Sequence, residues 1–145
     1  MPITAPTFPV QREPASAHYT LDPLLDGTYY TDPIELGPGE YHVGLCPVLA
    51  LGSGAPSDAA VAISAQVLVD GTNWKDLYDA TGSEQWALAI TTDFEKAVHV
   101  GDESETSHQP TKIVWRSVRF KVVVTGTFAS AGDATSSLNI YVARA

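Results

Sequence analysis

Residues 112–145 read KIVWRSVRFKVVVTGTFASAGDATSSLNIYVARA, and the first half of that stretch alternates in polarity. Val114, Val118, Phe120, Val122 and Val124 share one parity, while Ser117, Arg119, Lys121 and Thr125 share the other. That is the two-residue period of a strand with one buried and one wet face. Arg116 interrupts the apolar side, which a bulge or a charge at the sheet margin would each explain. Small, turn-forming residues follow over 129–134, after which Leu138, Ile140 and Val142 alternate with Asn139, Tyr141 and Ala143. The stretch predicts a long β-hairpin, an antiparallel pair closing the domain.

Upstream of it the signals are short and strand-like. Thr28, Tyr29, Tyr30 and Thr31 suit a strand, Gly37, Pro38 and Gly39 a turn, and residues 41–51 form an apolar run ahead of a loop over residues 52–57. In residues 60–69 the alternation is loose, with Gln66 and Leu68 between Ala65, Val67 and Val69, so both faces are expected to be partly covered, as in a sandwich. Asp70, Gly71, Thr72 and Asn73 make a hairpin turn leading to Trp74, Leu77 and Tyr78. Residues 83–100 fit two periods. Trp86, Leu88 and Ile90 have strand spacing, while Trp86, Ile90 and Phe94 would also line a helix capped by Ser83. Thr91, Thr92 and the β-rich surroundings favour strands.

The first twenty residues are different. Pro2, Pro6, Pro9 and Pro14 leave no room for a helix or a central strand, so residues 1–20 are expected to form an extended arm, with Ile3, Phe8, Val10 and Arg12 as its docking residues, a disordered tail being the other reading of the same stretch. The rest is expected to be one all-β domain, residues 21–145, a single antiparallel β-sandwich of jelly-roll-like architecture. A chain of 145 residues can bury a sizeable core in one such domain.

Charge is unevenly placed. Up to residue 110, 16 acidic residues face Arg12, Lys75 and Lys96, a balance of -13. Residues 111–145 hold Lys112, Arg116, Arg119, Lys121 and Arg144 against Asp133, a balance of +4, and together these give the chain's -9. An acidic body argues against nucleic acid as a partner, because neutralising phosphates needs clustered Lys and Arg. Arg119 and Lys121, on the wet parity, could meet an acidic protein partner or simply solvate a sheet face. No apolar run approaches membrane-spanning length, and no basic segment followed by an apolar core opens the chain, so a soluble, unprocessed protein is expected.

Chemistry is sparse. Cys46 is the single cysteine, in an apolar run that suits a buried inert thiol, so no intrachain disulfide forms. Nucleophile-elbow, zinc-protease, phosphate-loop and dinucleotide motifs are missing. His99 and His108 flank Asp102, Glu103 and Glu105, but the glycine and terminal glutamate of a calcium loop do not follow, so a solvated acidic loop is expected over residues 101–110. Neither an enzyme nor a cofactor or metal is expected. Trp74, Trp86 and Trp115 are open to two arrangements: core packing, which large aromatics commonly adopt, or a stacking platform for sugar rings.

Two runs carry a resemblance. Gln66 to Leu77 contains Asp70-Gly71-Thr72-Asn73-Trp74, and some forty residues later comes Trp115-Arg116-Ser117-Val118-Arg119-Phe120-Lys121-Val122 with a closing Gly126-Thr127. Together they resemble small β-sandwich virion proteins of tailed bacteriophages, over about the last 85 residues. The proline-rich arm and the acidic loop lie outside that pattern. Size, acidity and arm are most similar to head decoration, or cement, proteins. The resemblance implies a non-enzymatic protein on the outer capsid surface, soluble in the host cytoplasm before assembly, that stabilises contacts between major capsid subunits. Its partners would be the major capsid protein and itself, as a homo-oligomer with a trimer favoured. The alternative is a carbohydrate-binding or adhesin module of a tail or baseplate that uses exposed tryptophans.

Overall fold

In the computed structural model, residues 17–78, 82–100, 113–128 and 135–144 are described. Their strands are β1 Tyr19–Leu21, β2 Gly27–Tyr30, β3 Ile34–Glu35, β4 Val43–Ala50, β5 Ala60–Leu68, β6 Trp74–Asp76, β7 Ala87–Ile90, β8 Phe94–Glu95, β9 Val98–Val100, β10 Ser117–Thr125 and β11 Ser137–Arg144. Residues 83–100 therefore hold three strands, β7, β8 and β9, in keeping with the strand reading, although Thr91 and Thr92 lie between two of them.

Every strand pairing is antiparallel. One sheet runs β1-β11-β4, with β8 and β9 sharing the far side of β4. In the other, β2 and β3 share one side of β10, β5 takes its other side, and β6 and β7 share the far side of β5. Counting each shared side as one place gives eight places, ordered 1-8-3-6 in one sheet and 2-7-4-5 in the other. That interleaving is the double Greek key of a jelly roll. The all-β sandwich read from the sequence is the observed architecture.

The closing hairpin is not. β10 and β11 belong to opposite sheets and do not pair with each other. Val118, Phe120, Val122 and Val124 of β10 and Leu138 and Ile140 of β11 are all buried, so they meet across the core rather than side by side. Alternation reports which face is inward but not whether the next strand lies beside or opposite. The eleven residues between the two strands are ample to cross the roughly 10 Å between packed sheets.

Further details also depart from the sequence reading. Val114 is 67% exposed, and the alternation begins only with β10, because Ile113 is buried ahead of it and its amide bonds to the Tyr41 carbonyl at 2.7 Å. Arg116 thus lies before the strand instead of within it, donating from Nη1 to the Gly37 carbonyl at 3.2 Å. Tyr19 and Thr20, expected in the arm, belong to β1 and pair with Ile140 and Asn139. Cys46 is half-buried on the outward parity of β4, opposite Tyr141. Ile3, Phe8, Val10 and Arg12, and the acidic loop at 101–110, lie outside the described residues.

Local chemistry sets the register. Thr31, buried between β2 and β3, gives its amide to the Phe120 carbonyl and accepts the Phe120 amide on Oγ1, both at 2.9 Å. It carries the ladder across the gap between two short strands that share one partner. At the β5–β6 turn, Asp70 Oδ1 accepts the amides of Thr72 at 3.0 Å and Asn73 at 2.6 Å, and Gly71 takes φ +85°. This Asx-type turn is what the Asp-Gly dipeptide predicts. Trp86, on the inward parity beside β7, packs edge-on against Phe120 with centroids 5.8 Å apart, and its Nε1 donates to the His99 carbonyl of β9 at 3.2 Å. A single side chain therefore ties an edge of one sheet to an edge of the other.

Candidate recognition face

The outer parity of β10 carries Arg119 and Lys121, and the register decides what surrounds them. Arg119 stands opposite Gln66 of β5, which in turn stands opposite Asp76 of β6. Lys121 lies between Tyr30 of β2 and Ser64 of β5. Ser117 stands opposite Glu35 of β3, and Leu68 of β5 stands opposite Trp74. Tyr30 is therefore the diagonal neighbour of Arg119 on β2, and Trp74 lies on its other side, one strand beyond β5.

Both rings meet the arginine. The Arg119 guanidinium carbon is 4.2 Å from the Tyr30 ring centroid and 4.4 Å from that of Trp74, so the cation is clasped between two π faces. Its Nε donates to Gln66 Oε1 at 2.9 Å, and Gln66 Nε2 donates to Asp76 Oδ1 at 3.0 Å. Gln66 is only 9% exposed under this cover, which explains the loose alternation of β5: its outer face is roofed at one point by a stacked arginine. With Nε committed, the two terminal amino groups of Arg119 remain as a fork with no hydrogen-bond partner among the described residues. On the flank, Ser117 Oγ donates to Glu35 Oε2 at 2.7 Å.

Part of the same face carries small residues. Ala62, Ala87 and Ala89 are exposed on its outer parity, with Ser64 among them.

The three tryptophans do not form a platform. Trp74 belongs to the stack, Trp86 packs on the core, and Trp115 is exposed in the segment leading into β10. Of the residues chosen from the sequence, Arg119 and Lys121 fall together on this face. Tyr30, Gln66 and Asp76 were not foreseen as their neighbours, since cross-strand diagonals follow from register, and register is invisible in one strand's alternation. Among the described residues, no group of three His, Cys, Asp or Glu side chains is placed to hold a metal ion, and no helix is long and apolar enough to cross a membrane.

No protein-family model and no curated protein matches the sequence. Among solved structures, the chain is similar to TmCBM61 in complex with beta-1,4-galactotriose, at 15% identity over 83% of this chain and 67% of that one, with a TM-score of 0.36. A likeness of that degree carries no argument about what this chain binds.

Proposed function

We propose that the protein is a non-enzymatic virion structural protein, a decoration or cement protein on the outside of a tailed-phage head, and that it grips its neighbour through the outer face of the β10 sheet. The sequence resemblance supports the setting. The observation that carries the mode of binding is Arg119 clasped between Tyr30 and Trp74. Trp, Tyr and Arg are the residues that dominate energetic hot spots between proteins. Stacking also fixes the guanidinium rotamer in advance, so less side-chain entropy is lost on docking. The small exposed side chains of Ala62, Ala87 and Ala89 would let a broad, rigid partner such as a capsid shell approach the sheet closely. Contacts at this face and along the N-terminal arm, each modest, would add up once one protomer of an oligomer is docked. The acidic remainder of the chain would face solvent and keep particles apart.

A glycan-binding reading uses the same face, and the exposure of Tyr30 at 43% beside the polar groups of Gln66 and Asp76 favours it. Against it, the guanidinium already covers one face of each ring, which are the surfaces a sugar would stack on.

Mixing the purified protein with expanded capsids and counting bound copies tests the proposal. Hundreds of copies per particle, reduced on deleting residues 2–16, are expected. An absence of binding, with quenching of tryptophan fluorescence by a neutral oligosaccharide, would favour the adhesin instead.

A further inference from the structure

We infer that Arg119 and Lys121 are a carboxylate-binding pair that takes an extended acidic segment of a protein partner, with acidic side chains at alternate positions. The inference rests on the protein-binding reading of this face and names the chemistry of what it grips. In a chain with 17 acidic and 8 basic residues, a half-buried arginine would ordinarily find a carboxylate of its own. Arg119 instead packs on two rings and bonds to a neutral amide, and neither it nor Lys121 has an ion-pair partner among the described residues. The nearby carboxylates are engaged laterally, Asp76 by Gln66 and Glu35 by Ser117.

Geometry then specifies the ligand. The Nε–Gln66 bond orients the guanidinium so that its Nη groups form an end-on fork, the arrangement that accepts a carboxylate through two parallel hydrogen bonds. Aromatic faces on both sides displace part of the water that would otherwise screen the contact. Lys121 is two residues further along the same face of β10, at a separation of about 7 Å. A partner strand laid along β10 with Glu or Asp at positions i and i+2 has the same repeat, so one carboxylate meets the fork while the next meets the ammonium.

Isothermal titration with the peptide acetyl-Gly-Glu-Ser-Glu-Gly-amide, its Gln-for-Glu counterpart and a uronic-acid oligosaccharide tests this. The acidic peptide is expected to bind saturably and to weaken with added salt, the Gln peptide to bind about tenfold more weakly or less, and the uronate to bind no better than the Gln peptide. Arg119→Gln should weaken the acidic peptide by about tenfold or more and Lys121→Gln by a smaller factor, with Arg119→Lys in between because charge survives while the fork is lost. Unchanged far-UV circular dichroism and melting temperature would show that each variant is folded; if Arg119→Gln is not, the Lys121→Gln and peptide comparisons decide. Equal binding of the Glu and Gln peptides, no binding of either, an indifferent Arg119→Gln, or tighter binding of the uronate would each overturn the inference. Capsids occupied equally by wild type and Arg119→Gln would remove this inference and leave the decoration reading standing. Acidic-peptide binding without capsid occupancy would do the reverse.

Discussion

Asp58 and Asp70 work in the same way at two distant turns. Asp70 closes the β5–β6 hairpin by accepting from Asn73 and Thr72, and those bonds hold its carboxyl well below the usual carboxylate range. Asp58, ahead of β5, accepts the Thr127 amide at 3.1 Å and its hydroxyl at 2.8 Å, pinning the exit of β10 and lowering its own pKa. A depressed carboxylate adds stability that is present above its unfolded pKa and is lost as pH falls through its folded one. Acidification from about pH 5 to about pH 2 should therefore lower the melting temperature of the wild type more than that of an Asp58→Asn, Asp70→Asn double variant, as followed by circular dichroism. An identical fall in both would mean that other carboxylates dominate acid unfolding. Close backbone approach constrains the chain elsewhere: a Cβ on Gly52 would lie 1.7 Å from Thr135 Oγ1 and 2.9 Å from the Thr135 carbonyl carbon. Only glycine lets that loop pass the chain entering β11.

Among the elements, β10 carries the most. It is flanked on both sides, its inner face is fully buried, and its outer face holds the arginine stack. Phe120→Ala should cost about 3–5 kcal/mol in urea unfolding, because it empties the centre of the core and strips Trp86 of its edge contact. Val123→Ala, on the outer parity of the same strand, should cost about 1 kcal/mol or less. Similar losses for the two would contradict the observed parity. This parity was legible in the sequence, as were the β5–β6 turn, the strands of residues 83–100 and the covered outer face near Gln66. The partner of each strand was not. The residues after β10 carry the small, turn-forming signals of a hairpin, and nothing in them separates a turn within one sheet from an arch between two. For the same reason Arg119 could be picked out as an outward cation while its clasp could not. Tyr30, Trp74 and Gln66 are 89, 45 and 53 residues away in sequence and meet it only through the register of three pairings.

Across the whole molecule, charge and topology divide the labour. Up to residue 110 the sequence is acidic, while Lys112, Arg116, Arg119 and Lys121, four of its eight basic residues, lie in or just before β10. The jelly-roll winding has a second consequence. Its first and last strands are neighbours: β1 runs antiparallel to β11, Tyr19 facing Ile140, so residue 18 and residue 144 depart from the same end of the same sheet. Cargo fused before β1 or after β11 would emerge on one side of the sandwich and leave the Arg119 face uncovered. The order of the strands could also be rewritten. Joining residue 144 to residue 18 with a short glycine-serine linker and reopening the backbone at Gly71, where a Cβ would meet nothing within 4 Å, should yield a circular permutant that melts cooperatively with the parent's near-UV spectrum. An unfolded permutant would mean that the β5–β6 hairpin must be covalently closed for the sandwich to assemble. A folded one would give a scaffold whose N- and C-termini sit beside the arginine clasp, available for tethering a partner directly to it.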